Sequence, residues 1–169
     1  MGRRGLASPF VLLSLTLSAG CSLILDFDDP PAPPDAMQAD AIPTGACELG
    51  EPNEMRSEAT VLEAATATQG GICEVGDHDF YSITVAADQT VTVEAAFTQD
   101  AAKGDLDLRL YDVAGNVVGR SASADSDERI VCPGASPPCS QLVAGNYFVE
   151  VYGFQDQMVN GYAITLTLE

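Results

Sequence analysis

Polar and apolar residues alternate along most of the chain from Thr68 onward. Four segments show the repeat clearly: 91–95, 106–110, 147–151 and 162–168. A period of two is typical of a strand with one face buried and the other exposed. Turn-forming sequences separate such segments at 86–89, 114–116, 144–146 and 160–161. About eight short strands in roughly 100 residues predict an all-β fold, an antiparallel β-sandwich.

The first 20 residues have a different pattern. Arg3 and Arg4 precede an apolar run from Phe10 to Leu17, and small residues occupy positions 18–20. A charged start, a short apolar stretch and a small-residue cleavage site are typical of a secretory signal peptide. Eight helical residues span roughly 12 Å against ~30 Å of membrane hydrocarbon, so the run is too short for a lasting anchor. Residues 1–20 are therefore predicted to be a signal peptide.

The residues 17–21, Leu-Ser-Ala-Gly-Cys, resemble the bacterial lipobox. The resemblance implies that Cys21 becomes the first mature residue and carries a covalent lipid, which holds the protein in the membrane. Ser22, rather than aspartate, follows Cys21. By analogy with enteric sorting, this favours the outer membrane of the cell envelope. The alternative is an ordinary secretory signal cleaved near Ala19, because Ser18 stands where the lipobox usually has leucine.

Residues 21–46 are rich in proline, alanine and aspartate and offer little apolar surface to bury. Such a composition predicts a disordered tether rather than a folded unit. About 25 residues of semi-extended chain at ~3.1 Å each would reach roughly 75 Å from the membrane. The tether either provides this reach or is a leader without a selected role. Residues 47–169 are then the folded domain.

Net charge excludes one class of partner. Removal of the signal peptide leaves five basic residues against 25 acidic ones, a formal charge of −20, and Lys103 is the only lysine. Binding of nucleic acid requires clustered lysine and arginine to replace counterions on the phosphates. The sequence therefore predicts no nucleic-acid partner, whereas an acidic surface raises the chance of bound cations.

Four cysteines follow Cys21, and an even number in an exported chain predicts two disulfides. Three pairings are open in principle. Cys132 and Cys139 enclose a segment rich in proline and glycine, so we expect a bridge across this loop. Cys47 then pairs with Cys73. A zinc site is the rival interpretation, but no pair of cysteines has CxxC spacing.

Four motifs occur in order along the folded part: 51–54 (EPNE), 76–81 (GDHDFY), 104–112 (GDLDLRLYD) and 144–153 (AGNYFVEVYG). Together they resemble the bacterial pre-peptidase C-terminal domain, and the resemblance covers residues 48–169. This family implies a jelly-roll-like β-sandwich found beside secreted proteases and collagenases. In that family the domain is non-catalytic and is often processed away or used to hold substrate. We expect the domain to stand alone here, without a peptidase before it.

The resemblance also implies a calcium site, because some members bind Ca²⁺ between the first motif and the loop before an early strand. The matching residues are Glu51, Asn53, Glu54, Asp77 and Asp79. Calcium prefers six to eight oxygen ligands, which carboxylates and an amide carbonyl supply. Leu49 stands where calcium-binding relatives have a further acidic residue. The alternative is that these residues only form turns and caps.

The sequence carries no recognised catalytic motif, neither a GxSxG elbow nor HExxH nor a P-loop. His78 is the only histidine and lies between aspartates, where we expect it to be solvated. Asp105 and Asp107 alternate with leucines, which predicts a solvated strand face. The chain is therefore predicted not to be an enzyme.

The aromatic residues offer a speculative ligand face, since aromatic anchors concentrate binding energy. The alternative is ordinary packing. The candidates are Tyr81, Tyr111, Phe148 and Tyr152. We therefore expect a non-catalytic envelope lipoprotein that displays a binding module for an extracellular protein or polysaccharide. The alternatives are a spacing component without a ligand and an accessory domain that acts with a separate secreted peptidase.

The lipid prediction is tested by mass spectrometry of the mature N-terminus. We expect a diacylated or triacylated Cys21, because the lipobox cysteine is modified before cleavage. Replacement by Cys21→Ser should abolish the added mass and release the protein from membranes. A wild-type chain that begins at or near Cys21 without added lipid would instead show a freely secreted domain.

Overall fold

The computed structural model describes residue 47 and residues 49–99 and 103–169. The predicted signal peptide (1–20), Cys21, which is predicted to carry the lipid, and the whole predicted tether (21–46) lie outside these residues. In the described part, no helix is long and apolar enough to cross a membrane.

The described residues contain strands and one short 3-10 turn at Phe154–Asp156. The strands are β1 Thr60–Val61, β2 Thr68–Ile72, β3 His78–Val85, β4 Val91–Phe97, β5 Leu106–Asp112, β6 Val117–Ser121, β7 Asp127–Cys132, β8 Gly134–Ala135, β9 Pro138–Cys139, β10 Gly145–Gly153 and β11 Asn160–Leu168. Eight of these strands have five or more residues. The predicted all-β sandwich is confirmed.

Two sheets form the sandwich. The five-stranded sheet has the order β1-β3-β10-β5-β6, and the four-stranded sheet has the order β2-β11-β4-β7. Neighbouring strands are antiparallel except β1, which pairs with β3 in parallel at the edge. The short strands β8 and β9 form a separate two-stranded sheet, and β9 packs near β6 and β7.

The apolar positions of the period-two segments meet between the sheets. Leu106, Leu108 and Leu110 are fully buried, as are Val149 and Val151 on the neighbouring β10. From the four-stranded sheet, Val91, Val93, Ala95, Ile130 and Ile164 close the same core. Burial of each such aliphatic side chain stabilises the fold by roughly 1.5–3 kcal/mol, which explains why the sequence pattern follows the strands so closely.

Two predicted turns are wrong. In the predicted turn 144–146, Gly145 and Asn146 are the first residues of β10 and pair with β3. Asn160 and Gly161, expected to form a turn, are the first residues of β11. The chain reverses earlier, at Phe154–Asp156, where Gln155 and Asp156 adopt positive φ. Asn160 is buried because its side-chain amide donates to the carbonyls of Thr98 and Gly104, at 2.7 and 2.9 Å, and so ties down a neighbouring loop.

The cysteines pair as expected. Cys47 is bonded to Cys73, which follows β2, and Cys132 is bonded to Cys139 across the β8–β9 hairpin. The first bridge joins residues 26 apart in sequence and the second joins residues 7 apart. The first therefore restricts the unfolded chain more than the second.

Removal of each bridge by paired Cys→Ser substitution tests this difference. From loop-closure entropy, loss of Cys47–Cys73 should lower the free energy of unfolding by about 3.5 kcal/mol, and loss of Cys132–Cys139 by about 2.5 kcal/mol. Urea unfolding with a chelator present measures both without a contribution from metal. Equal losses, or the reverse order, would contradict the entropic account.

Candidate metal centre and binding groove

Three carboxylates converge where the chain enters β3. One oxygen each of Glu51, Asp77 and Asp79 lies within 4.8 Å of the others. We call these residues the first carboxylate cluster. Asp79 is the second residue of β3 and is 2% exposed. Glu51 comes from the preceding segment, which is held against β3 because the Phe80 N–H donates to the Asn53 carbonyl at 2.8 Å.

Asn53 faces this cluster and is fully buried. One terminal atom of its side-chain amide lies 3.1 Å from Glu51 Oε2 and 3.0 Å from Asp79 Oδ1. The surrounding acceptors favour the NH₂ group at this position, where it donates to both carboxylates. With the amide turned the other way, its carbonyl oxygen would join the carboxylates as a ligand of a cation. An amide carbonyl beside carboxylates is a donor set that suits Ca²⁺.

The Asp79 carboxylate is held from within the core. The Tyr162 hydroxyl donates to Asp79 Oδ2, and the Tyr81 hydroxyl lies 2.8 Å from that of Tyr162. Gly70 leaves space for these two tyrosine side chains, since a Cβ there would lie 2.5 Å from the Tyr162 ring and 2.7 Å from the Tyr81 hydroxyl. Burial raises the pKa of Asp79 to about 7, while the hydrogen bond from Tyr162 opposes the rise. The charges of Asp77 and Glu51 add to it.

Above the cluster lies an open pocket of about 420 Å³, lined by Glu51, Glu54 and Asp77 together with the Cys47–Cys73 bridge. Burial raises the pKa of Glu51, and nearby Glu54 raises it further. Asp77 is oriented by the Cys73 N–H, which donates to its Oδ2 at 2.7 Å. Three of the five residues of the expected calcium site, Glu51, Glu54 and Asp77, thus line this pocket. The other two, the buried Asn53 and Asp79, lie beside Glu51, while Leu49 is half exposed. Carboxylate and amide oxygens are available there, so the residues fit a hard cation.

His78 is not solvated as expected. Its Nδ1 lies 2.8 Å from Glu150 Oε1, its Nε2 lies 3.6 Å from Asp156 Oδ1, and its ring stacks on Tyr152 at 6.1 Å. Glu150 in turn accepts from Arg109 at 3.1 Å and from the Tyr111 hydroxyl at 2.7 Å. These contacts form a polar network on the outer face of the five-stranded sheet. The expectation that His78 is an isolated, solvated histidine was therefore wrong.

Two of the four aromatic residues in the predicted ligand face are misplaced. Tyr81 is 1% exposed because it alternates with Phe80 and points between the sheets. Tyr152 is 3% exposed because the Arg109 guanidinium covers its ring at 3.8 Å and His78 stacks on it. Neither side chain is accessible to a ligand. Tyr111 and Phe148 are half-buried on the outer face.

The outer face does carry a groove of about 580 Å³ beside Phe148. It is lined chiefly by Met55, Arg56, Phe80, Val113 and Phe148. The Arg56 guanidinium lies 5.8 Å from the centre of the Tyr111 ring and so crosses from the segment before β1 to β5. Sequence reasoning missed Met55, Arg56 and Phe80, because no periodic pattern links a loop residue to the outer face of a strand.

A second carboxylate cluster consists of Asp105, Asp107 and Glu128, each with an oxygen within 4.8 Å of the others. The expectation that Asp105 and Asp107 form a solvated face is wrong. Asp107 is 3% exposed and Asp105 is partly buried. Glu128 was not considered because it lies on β7, distant in sequence, and only the sandwich brings it near β5.

Comparison with known proteins identifies the fold. Residues 77–153 match the family model of the bacterial pre-peptidase C-terminal domain. The match covers 77 of the 169 residues and shows that this region is similar to that family. The expected resemblance is thus confirmed over a shorter range than 48–169. The matched range contains Asp77 and Asp79 but not Glu51, Asn53 or Glu54, so the first carboxylate cluster extends beyond it.

One solved structure supports the same fold, and a second is more distantly similar. The pre-peptidase C-terminal domain of a collagenase from Bacillus anthracis is 12% identical, with a TM-score of 0.50 over 64% of this chain and 94% of that one. PliG from Aeromonas hydrophila, a periplasmic inhibitor of g-type lysozyme, is 14% identical, with a TM-score of 0.47 over 66% of this chain and 96% of that one. No curated protein matches the chain.

The raised pKa of Asp79 predicts a pH dependence in chelator. Aspartate in the unfolded chain has a pKa of about 3.9, so the folded state binds this proton more tightly. The free energy of unfolding should therefore fall as pH rises from about 4 through about 7, by at most roughly 4 kcal/mol. The variant Asp79→Asn should show a flatter profile in urea unfolding across this range. A slope unchanged by the substitution would assign the dependence to other groups.

Proposed function

We propose that this protein is a non-enzymatic binding module of the bacterial cell envelope, whose groove binds an extended segment of an extracellular protein. Calcium at the first carboxylate cluster holds one wall of the groove in place. The observation that carries the proposal is that one short segment, residues 51–58, supplies both ligands of the cluster and side chains of the groove.

The groove differs in character from the rest of the surface. The mature chain has a formal charge of −20, yet four of the seven residues that line the groove are apolar, namely Met55, Val113 and two phenylalanines. Arg56, Glu54 and Ser57 complete the lining, so its formal charge is zero. Met55 is 55% and Val113 is 69% exposed. Apolar residues in a depression with a charged residue at its side are typical of a binding site for another molecule.

The chemistry of the lining favours protein over polysaccharide. Phe80 and Phe148 are half-buried, and their rings have no polar group to bind sugar hydroxyls. A groove of this kind suits alternate apolar side chains of an extended polypeptide. Arg56 adds a donor for a carboxylate or carbonyl of that segment. A polysaccharide ligand remains an outcome of the experiment below.

Calcium binding and the groove are linked through the backbone. Glu51 and Asn53 face the cluster, and Met55 and Arg56 follow directly in sequence. Bound Ca²⁺ would supply positive charge for the Glu51 and Asp79 carboxylates and for the Asn53 amide oxygen. The segment then stays on β3, where the Phe80 N–H already donates to the Asn53 carbonyl. Metal therefore preorganises the groove without touching the bound partner.

The proposal treats the domain as non-catalytic. Both ring nitrogens of His78 face carboxylates, and Glu150 is occupied by Arg109 and Tyr111. These groups stabilise one another rather than converge on a substrate pocket. The lipid on Cys21 and the tether of residues 21–46 would display the module from the outer membrane. Repeated display on a surface compensates for weak binding by each copy.

The test is a pull-down in which three purified proteins serve as bait and envelope or extracellular extracts supply the ligand. Each protein is used with about 1 mM Ca²⁺ and, separately, with chelator. They are the wild type, Val113→Asp in the groove and Val143→Asp outside it. Val143 is 75% exposed, so neither aspartate should disturb the core. A protein captured by the wild type and by Val143→Asp, but retained at least tenfold less by Val113→Asp, identifies a groove ligand. Chelator should reduce its retention as well.

Other outcomes separate the alternatives. Equal retention on both aspartate variants would overturn the groove as the binding site. Binding to polysaccharide but not protein would replace the partner class. If neither extract contains a ligand whose retention depends on the groove, the result would favour a spacing component without a ligand. Capture of a secreted peptidase would favour an accessory domain that acts with that peptidase.

A further inference from the structure

The second carboxylate cluster lies at one edge of the sandwich and joins its two sheets. Asp107 belongs to β5 of the five-stranded sheet, Asp105 directly precedes it, and Glu128 belongs to β7 of the four-stranded sheet. Asp107 is 3% exposed and Glu128 is fully buried. Three like charges within 4.8 Å repel one another strongly away from water. Something must therefore compensate for the charge.

Unpartnered oxygens point to what is missing. Oδ1 of Asp105 and Oδ1 of Asp107 are buried and have no hydrogen-bond partner in the described part of the chain. Buried polar atoms are almost always paired, because an unpaired one loses its interaction with water without replacement. The Tyr152 hydroxyl is likewise buried without a hydrogen-bond partner among the described residues, although it lies close enough to Asp107 to oppose the rise in pKa that burial causes at that carboxyl. A ligand that accepts lone pairs from both aspartates would satisfy them.

Glu128, by contrast, is held in one orientation. Its Oε1 accepts from the N–H and the hydroxyl of Ser123, both at 2.7 Å, and its Oε2 accepts from the Ser121 hydroxyl. The arginines near the cluster do not replace a ligand. Arg109 is paired with Glu150 at 3.1 Å and Arg120 is exposed, so each acts on Asp107 from a distance. The cluster is thus preorganised and still lacks a partner at two of its oxygens.

We propose that Asp105, Asp107 and Glu128 bind a second divalent cation, Ca²⁺, which ties β5 to β7. All of the donors are hard oxygens, as Ca²⁺ requires, and water can fill the remaining positions. This site is separate from the first carboxylate cluster, since β10 lies between β3 and β5 and neighbouring strands are ~4.8 Å apart. The inference does not rest on the binding groove or on the first site.

Titration of the full chain with CaCl₂ by isothermal calorimetry tests the proposal. The wild type should bind two Ca²⁺. The isosteric variant Asp107→Asn should bind one, and Asp79→Asn should also bind one, while the double variant should bind none. Asp127→Asn is the matched control, because Asp127 is exposed on β7 beside Glu128. It should still bind two.

Terbium luminescence provides a second readout that leaves every proposed ligand in place. The chain has no tryptophan, so excited tyrosines are the main sensitisers of bound Tb³⁺. In the otherwise wild-type chain, Tyr152→Phe should reduce the emission that arises at the second carboxylate cluster, whereas Tyr162→Phe should reduce the emission that arises at the first. The wild-type stoichiometry and the Tyr152→Phe signal therefore hold even where an aspartate variant folds poorly.

The outcomes separate the two sites. A wild type that binds one Ca²⁺, lost in Asp79→Asn and unchanged in Asp107→Asn, would overturn the second site and leave the first. One Ca²⁺ with the opposite pattern would leave the second and overturn the first. No heat at millimolar Ca²⁺ and no tyrosine-sensitised emission would overturn both calcium sites. Protons shared between the carboxylates would then be what neutralises their charge.

Discussion

Burial of the Asp79 carboxylate is the constraint on which the candidate site depends. Asp79 occupies one of the alternate positions of β3 whose side chains are buried, so its carboxylate points into the sandwich rather than to solvent. Tyr162 satisfies one oxygen from inside the core, and Asn53 and Glu51 approach from outside. Because an uncompensated buried charge is costly, the Asn53 amide beside Asp79 is the stabilising contact of the segment before β1, and the bond from the Phe80 N–H holds that segment on β3. The position of Met55 and Arg56, and with it the groove, follows from these contacts.

The protein manages its acidic side chains in two different ways. On the outer face of the five-stranded sheet, Glu150 is surrounded by His78, Arg109 and Tyr111, so its charge is compensated by protein groups alone. The two carboxylate clusters have hydroxyl and backbone donors but few cations. Burial raises the pKa of Asp105 to about 6, with Asp107 and Glu128 adding to the rise, which shows the same imbalance as at Asp79. Both clusters are places where a divalent cation would replace protons.

The family relationship and the site geometry support different conclusions. The match over residues 77–153 and the collagenase domain from Bacillus anthracis establish the fold of this region. At 12% identity they do not transfer a ligand, because binding depends on side chains that the fold does not determine. The function proposed for this chain therefore rests on its own residues, chiefly the segment 51–58 and the groove beside Phe148.

Local periodicity determined most of the architecture. Alternation in β4, β5, β10 and β11 specified which residues enter the core, since the side-chain period of a strand is two and only one face is buried. The proline- and glycine-rich loop specified the Cys132–Cys139 bridge, and the motif resemblance brought together the residues around Asp79.

The tertiary structure decided which polar residues are buried and which of them meet, because alternation along one strand carries no information on contacts with other strands. Asp107 is buried on the polar face of its strand because Tyr152 and its neighbours cover it, and Glu128 reaches it only because β5 and β7 face each other across the sandwich edge. Contacts between sheets join residues distant in sequence, so no single strand carries their signal.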